Sequence, residues 1–112
     1  MARVLVVEDE PSIAAIVAHK LRREGHEVRC EERIDGDDLK VWRPDLVLLD
    51  LDLDGGIECL QRFSSGWRFL ALTGFRDDVA PVRAQEAGAA AILAKPFKPT
   101  VLARLVAELT SR

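Results

Sequence analysis

Apolar positions along this chain follow two rhythms. The runs Arg3 to Val7 (RVLVV), Leu46 to Leu49 (LVLL), Phe69 to Leu72 (FLAL) and Ala90 to Leu93 (AAIL) are almost continuously aliphatic, as strands of a parallel sheet buried on both faces should be. His26 to Cys30 (HEVRC) alternates instead, which predicts an edge strand with one wetter face. Between the first of these and the next central strand, Ile13, Ile16, Val17 and Leu21 recur at helical spacing, with Pro11 suited to a first turn and Gly25 to a stop. A second helical segment begins at Asp78 and ends near Gly88, and Val101, Leu102, Leu105, Val106 and Leu109 form the apolar stripe of a last helix. The segments Gly36 to Trp42 and Gly56 to Phe63 allow only two short helices. Strand and helix alternate throughout, which predicts an α/β fold with a parallel sheet covered on both faces.

Composition narrows what such a fold can be doing. At 112 residues the chain fits one domain, spanning 1–112, with a single site and no separate cap or lid. Sixteen basic and nineteen acidic residues leave a net charge of -3, with no dense Lys/Arg cluster, so direct nucleic-acid or anionic-membrane contact by this domain is not expected. The first apolar run is broken at Glu8, too early for a signal-peptide core, and no run reaches the length of a membrane span. The chain therefore reads as cytoplasmic. Cys30 and Cys59 lack paired spacing and are expected to be buried free thiols.

In an open parallel sheet, reactive groups gather beyond the carboxyl ends of the strands, where loops and helix N-termini meet. After the first strand come Glu8, Asp9 and Glu10; after the third, Asp50; after the fourth, Thr73 and Gly74; after the fifth, Lys95 and Pro96. Each alone reads equally well as a cap, a turn residue or a solvated charge. Together they place carboxylates, a hydroxyl and an ammonium on one edge. Crowded carboxylates repel unless a cation intervenes, and Mg²⁺, which takes oxygen ligands and is held by one or two carboxylates plus phosphate oxygens, fits that need. A lysine and a hydroxyl opposite would clamp the equatorial oxygens of a transferring phosphoryl group. Asp50, at the end of the central strand, is then the nucleophile by position.

The stretch VLLDLDLDGGIECLQ, residues 47 to 61, admits two other readings. From Asp50 it resembles a calcium-binding loop, but Gln61 stands where a bidentate Glu is needed and a strand precedes it rather than a helix. From Asp52 it resembles the D-x-D-G nucleophile loop of haloacid-dehalogenase phosphatases, but that loop follows a first strand and this one follows the third.

VLVVEDEP, PDLVLLD, LALTG and AILAKPF, in this order and spacing, make the whole chain similar to the receiver (phosphoacceptor) domain of two-component response regulators, the CheY-like family. The resemblance implies a doubly wound, flavodoxin-like (βα)5 sheet in the order 2-1-3-4-5, with a shortened second helix here. It implies Mg²⁺ held by Glu8, Asp9, Asp50 and the backbone carbonyl of Asp52, and a phosphoryl group taken onto Asp50 from the phosphohistidine of a sensor histidine kinase or phosphotransfer protein. Thr73 and Lys95 would bind phosphoryl oxygens, Gly74 would leave room for them, and a cis Lys95–Pro96 peptide would aim the lysine inward. The family's helix 4, strand 5 and helix 5 form its output and homodimer face. Such a domain is a signalling phosphoacceptor rather than an enzyme with an external substrate. Departures from the pattern are specific. Ile92 replaces the usual Tyr or Phe, the loop after Asp50 lacks its customary proline and reaches Gly56 early, Pro81 sits early in the fourth helix, and Asp52 and Phe75 flank the phosphoryl position. They leave one alternative open, a degenerate receiver that acts by protein binding without regulated phosphorylation.

Overall fold

The computed structural model describes residues 1–74 and 79–111. Five strands alternate with five helices: β1 (Arg3–Val7), α1 (Pro11–Arg23), β2 (Glu27–Glu31), α2 (Gly36–Trp42), β3 (Leu46–Asp50), α3 (Gly56–Phe63), β4 (Phe69–Thr73), α4 (Ala80–Glu86), β5 (Ala91–Ala94) and α5 (Pro99–Thr110). All strand pairs are parallel, in the order β2-β1-β3-β4-β5. This is the doubly wound, flavodoxin-like arrangement that the resemblance implied, with its crevice where the order reverses between β1 and β3.

Strand alternation explains the two-layered core. Val4, Val6, Leu48, Leu70 and Leu72 point to one face and meet Val17, Leu21, Leu102 and Val106 of α1 and α5. Leu5, Val7, Val47, Leu49, Phe69 and Ala71 point to the other and meet Leu39, Leu60 and Ala84 of α2, α3 and α4. Because β3 and β4 are buried at every position, their sequences carry no alternation and read as continuous apolar runs.

The sequence-derived boundaries shift in informative ways. β3 and β4 each run one residue further than the apolar runs, so that Asp50 and Thr73 close the ladders, Asp50 opposite Leu72 and Thr73 opposite Ala94. β2 begins at Glu27 rather than His26, and β5 at Ala91 rather than Ala90. The second helix is short, as expected, and is started by Asp35, whose carboxylate accepts from the Asp37 amide at 3.0 Å. Pro81 falls in the first turn of α4, where it replaces no helical hydrogen bond; the start expected at Asp78 lies outside the described residues. One expectation is corrected outright. Cys30 is exposed, because β2 is an edge strand on which only Val28 is buried, and Cys59 on α3 is only half-buried.

Phe69, at the start of β4, is fully buried and is the largest of the enclosed side chains. Phe69→Ala is expected to cost about 3–5 kcal/mol, read as a lower urea midpoint at unchanged denaturant slope.

Candidate functional site

The strand phases that build the core also build the site. Glu8 continues the alternation of Val4 and Val6, Asp50 that of Leu46 and Leu48, and Lys95 that of Ala91 and Leu93, all on the α1/α5 face. At the carboxyl edge these three side chains meet. Lys95 Nζ donates to Asp50 Oδ2 at 2.9 Å and to Glu8 Oε2 at 3.0 Å. The remaining oxygens are held by backbone: the Asp52 amide donates to Asp50 Oδ1 at 2.9 Å, and the Glu10 amide to Glu8 Oε1 at 3.2 Å. Glu8 and Asp50 are both buried, so four hydrogen bonds from three donor groups satisfy what would otherwise be two costly desolvated groups.

Asp9 is exposed beside them, and Glu8, Asp9 and Asp50 each offer an oxygen within 4.8 Å of the others. An all-oxygen group of this kind matches the donor preference of Mg²⁺. The Asp52 carboxylate stands against Gly74 instead, where an added Cβ would meet its oxygens at 3.4 and 3.5 Å. Thr73 belongs to the other strand phase, with Phe69 and Ala71. Its Oγ1 is fully buried and has no hydrogen-bond partner among the described residues, an arrangement costing about 1–3 kcal/mol unless something else satisfies the hydroxyl. The Lys95–Pro96 peptide is cis, and the Lys95 amide donates to the Thr73 carbonyl at 2.7 Å, which fixes the lysine's backbone to the end of β4. Ile92 is partly buried against the α3/α4 side of the sheet, opposite Ala71. Phe75 lies outside the described residues.

The turn after Asp50 explains the early glycines. The Leu53 amide donates to the Asp50 carbonyl at 3.3 Å and the Gly56 amide to the Leu53 carbonyl at 3.0 Å. Gly55 then takes φ +77°, a conformation that L side chains rarely adopt. Gly56 is buried with no room for a side chain: a Cβ would lie 3.1 Å from Leu51 Cα and 3.2 Å from the Asp50 carbonyl oxygen. The tight turn thus presses directly on the backbone of Asp50. The two backbone amides that hold Asp50 and Glu8, each two residues further along the chain, were not anticipated from residue types, since any residue but proline can supply an N–H.

Burial pushes the Glu8 carboxyl above the usual glutamate range; its bond to Lys95 opposes this and the neighbouring Asp50 reinforces it. Burial alone would depress the Lys95 ammonium, but its bonds to Asp50 and Glu8 outweigh that and raise it above an ordinary lysine.

Residues 4–107 match the family described as the response regulator receiver domain. The chain belongs to that family. The receiver is 41% identical over 118 residues to the DNA-binding response regulator MtrA of Mycolicibacterium smegmatis, covering 98% of this chain and 50% of that protein. It therefore spans about half the length of the curated relatives it matches. Among solved structures, a signal receiver domain from Bermanella marisrubri superposes with a TM-score of 0.87 at 26% identity, covering 97% of this chain and 98% of the other. A response regulator receiver protein from Burkholderia phymatum gives 0.81 at 30% identity, covering 98% and 95%. Among the described residues of this receiver, no helix is long and apolar enough to cross a membrane.

Two outcomes follow from the site. Gly56→Ala should destabilise the receiver by about 1–3 kcal/mol, because backbone rather than a flexible side chain must yield; thermal melting of the purified variant measures it. The pH dependence follows from the raised Lys95: its contribution to stability is complete below the ordinary lysine value of 10.5 and is lost as pH rises through the higher folded value. Glu8, also raised, contributes in acid below 4.5 and loses that contribution as pH rises through its folded value. Melts between about pH 9 and 12 should show a steeper alkaline loss for the native receiver than for Lys95→Met, whose missing ammonium cannot titrate.

Proposed function

We propose that this receiver is a phosphoacceptor switch of a two-component system, with Asp50 as the residue that carries the phosphoryl group. The observation that carries this reading is the pairing of one buried aspartate with one lysine across the carboxyl edge of the sheet, with a fully buried threonine hydroxyl, unpartnered among the described residues, ending the strand between them. The donor set fits Mg²⁺, which would be held by Glu8, Asp9, Asp50 and the backbone carbonyl of Asp52. When bound, it would supply charge neutralisation of the carboxylates and of the phosphoryl oxygens.

An oxygen of Asp50 attacks the phosphorus of a phosphohistidine, the new P–O bond forming as the P–N bond breaks, and the imidazole leaves with the bonding electron pair and takes up a proton. Lys95, already bonded to Asp50, neutralises one phosphoryl oxygen as charge arrives. Thr73 Oγ1 turns from its buried position to donate to another, which satisfies the orphaned hydroxyl. Gly74 keeps this side of the site free of a Cβ, and Asp52 borders it. Attack of water on phosphorus breaks the P–O(Asp50) bond and returns the carboxylate with inorganic phosphate. The added charge biases two conformations of the domain. The domain spans residues 1–112, works in the cytoplasm, takes its phosphoryl group from a sensor histidine kinase or phosphotransfer protein, and meets a second copy through the α4–β5–α5 face. The receiver itself makes no direct nucleic-acid contact.

Ile92 supports a second reading. With no aromatic side chain at that position and no tyrosine in the chain, the domain would act as a degenerate receiver that binds proteins without regulated phosphorylation. Incubation with Mg²⁺ and phosphoramidate, followed by intact-mass measurement, separates the two. The first reading requires one added phosphoryl group on the native chain and none on Asp50→Asn or after chelation with EDTA; an unmodified native mass establishes the second.

A further inference from the structure

β2 is an outermost strand of the sheet, so one of its two sides has no neighbouring strand. The Glu27 amide donates to the Ala2 carbonyl at 2.9 Å, and the Glu31 carbonyl accepts from the Glu8 amide at 3.1 Å. Alternate residues of a strand bond the same neighbour, so Glu27, Arg29 and Glu31 turn their backbone groups to β1 while Val28 and Cys30 turn theirs to the open side. One of these outward groups is already used: the Val28 carbonyl accepts from the Arg22 guanidinium at 3.0 Å. Glu27, Arg29 and Cys30 are exposed, which leaves the edge accessible at Cys30. An open edge is a template for another strand, and the charges along it decide which strand fits.

Glu27, Arg29, Glu31 and Arg33, the last of them two residues beyond the strand, alternate in sign at every second position. That order is complementary to itself when reversed, in one register. An antiparallel second copy centred on Arg29 would set Arg29 against Arg29 and Glu27 against Glu31, like charges throughout. Centred on Val28, it would need the carbonyl that Arg22 holds. Centred on Cys30, it sets Arg29 against Glu31 and Glu27 against Arg33 on both sides of the axis. These pairs fall at the positions without cross-strand hydrogen bonds, where facing side chains come closest. The two Cys30 residues would exchange a pair of hydrogen bonds, and each Val28 amide would reach the Glu32 carbonyl of the second copy, with Arg22 undisturbed. Within one copy Arg29 already lies 3.4 Å from Glu31, but an exposed pair of this kind is weakly held, and the same charges are free to pair across the axis.

We propose that β2 is an edge at which the chain recognises a second copy of itself: the two strands join antiparallel about a two-fold axis at Cys30, and Arg29 and Glu31 pair reciprocally across it. The contact does not rest on the phosphoacceptor reading, and it lies at the opposite edge of the sheet from β5. A strand of five residues makes a small interface, so the association is weak and depends on concentration.

Facing residues of a hydrogen-bonded antiparallel pair have Cα atoms about 5.5 Å apart, within reach of a disulfide, so Cys30 reports the register. Cys59→Ser leaves Cys30 as the remaining thiol. This chain, oxidised with copper–phenanthroline at a series of protein concentrations and read by non-reducing electrophoresis, should give a covalent dimer at a rate that rises with concentration. Arg29→Glu, added to it, should slow cross-linking about tenfold by opposing like charges at two places, and the exchange Arg29→Glu with Glu31→Arg should recover the rate. Glu31→Arg alone should also slow cross-linking, although a neighbouring positive charge favours the thiolate; alkylation by iodoacetamide, which should not slow, separates pairing from thiol reactivity. Melts identify which variants are folded, and either single variant decides. No covalent dimer at any concentration, cross-linking that is indifferent to the single substitutions, or a double exchange that stays slow would each overturn the pairing. A dimer seen by size exclusion that does not cross-link through Cys30 would overturn it too, by placing the contact on another face.

Discussion

The site depends on a single ammonium group placed between two buried carboxylates. Two unit charges at 4 Å interact by about 4 kcal/mol at an effective dielectric near 20, so the ammonium of Lys95, bonded to both Glu8 and Asp50, offsets a repulsion of that order. The topology makes that pairing demanding. Lys95 follows β5, Asp50 closes β3 and Glu8 follows β1, and the order β1-β3-β4-β5 separates first from last by three strand spacings, roughly 14 Å between strand axes. The lysine must lean across the end of β4, and that end is where small residues stand: Thr73, Gly74 and, opposite Thr73, Ala94. Gly74 and Lys95 line the same cleft. The four-strand span, the small residues at the tip of β4 and the cis turn after Lys95 are thus parts of one solution to one electrostatic problem.

The same arrangement is a competition. Every oxygen of the two carboxylates already accepts a hydrogen bond, two from Lys95 and two from backbone amides, while Thr73 Oγ1 has no partner among the described residues. A protein selected for stability alone would have satisfied the hydroxyl or replaced it with valine. Its burial without a partner among the described residues is a local cost, and such costs persist where a ligand repays them. Under the proposed function, a phosphoryl group would supply acceptor oxygens for the threonine and a new partner for the lysine.

Most of this was legible in the sequence because parallel strands advertise themselves. Their apolar runs end where the chain reaches the carboxyl edge, and the polar residue after each run marks the site; Glu8, Asp50, Thr73 and Lys95 were located this way and four separate motifs agreed. Boundaries slipped by one residue at β3 and β4 because Asp50 and Thr73 are polar residues that nevertheless finish the ladders. Cys30 was misread for the opposite reason: a small apolar side chain in an alternating strand looks buried until the strand proves to be an edge with a single buried position. The backbone amides of Glu10 and Asp52 were invisible because any residue type can supply an N–H. The short turn at Gly55-Gly56 was visible as an irregularity, and its meaning, backbone packed on backbone beside Asp50, needed coordinates.

The shortened α2 shows the same logic at the far edge of the sheet. With only seven residues, this helix cannot cover the outer strand, and β2 carries Glu27, Arg29 and Glu31 on the face that Leu5 and Val7 share in register. A longer helix over an apolar β2 would bury that face; here charge keeps it wet and guards the open edge against pairing with an unrelated chain. The cover that remains is one ring. Trp42, the last residue of α2, lies 5.5 Å from the Arg29 guanidinium and 6.0 Å from that of Arg3, and the Trp42 carbonyl accepts from Arg3 at 2.8 Å. Arg3 is also paired with Glu27 across the strands at 3.4 Å. Loss of helix length, charged strand positions and a tryptophan at the helix end are therefore coupled changes: each makes sense only with the others, and together they keep β1 anchored at the end opposite the site while leaving Glu8, at its other end, free to answer to Lys95.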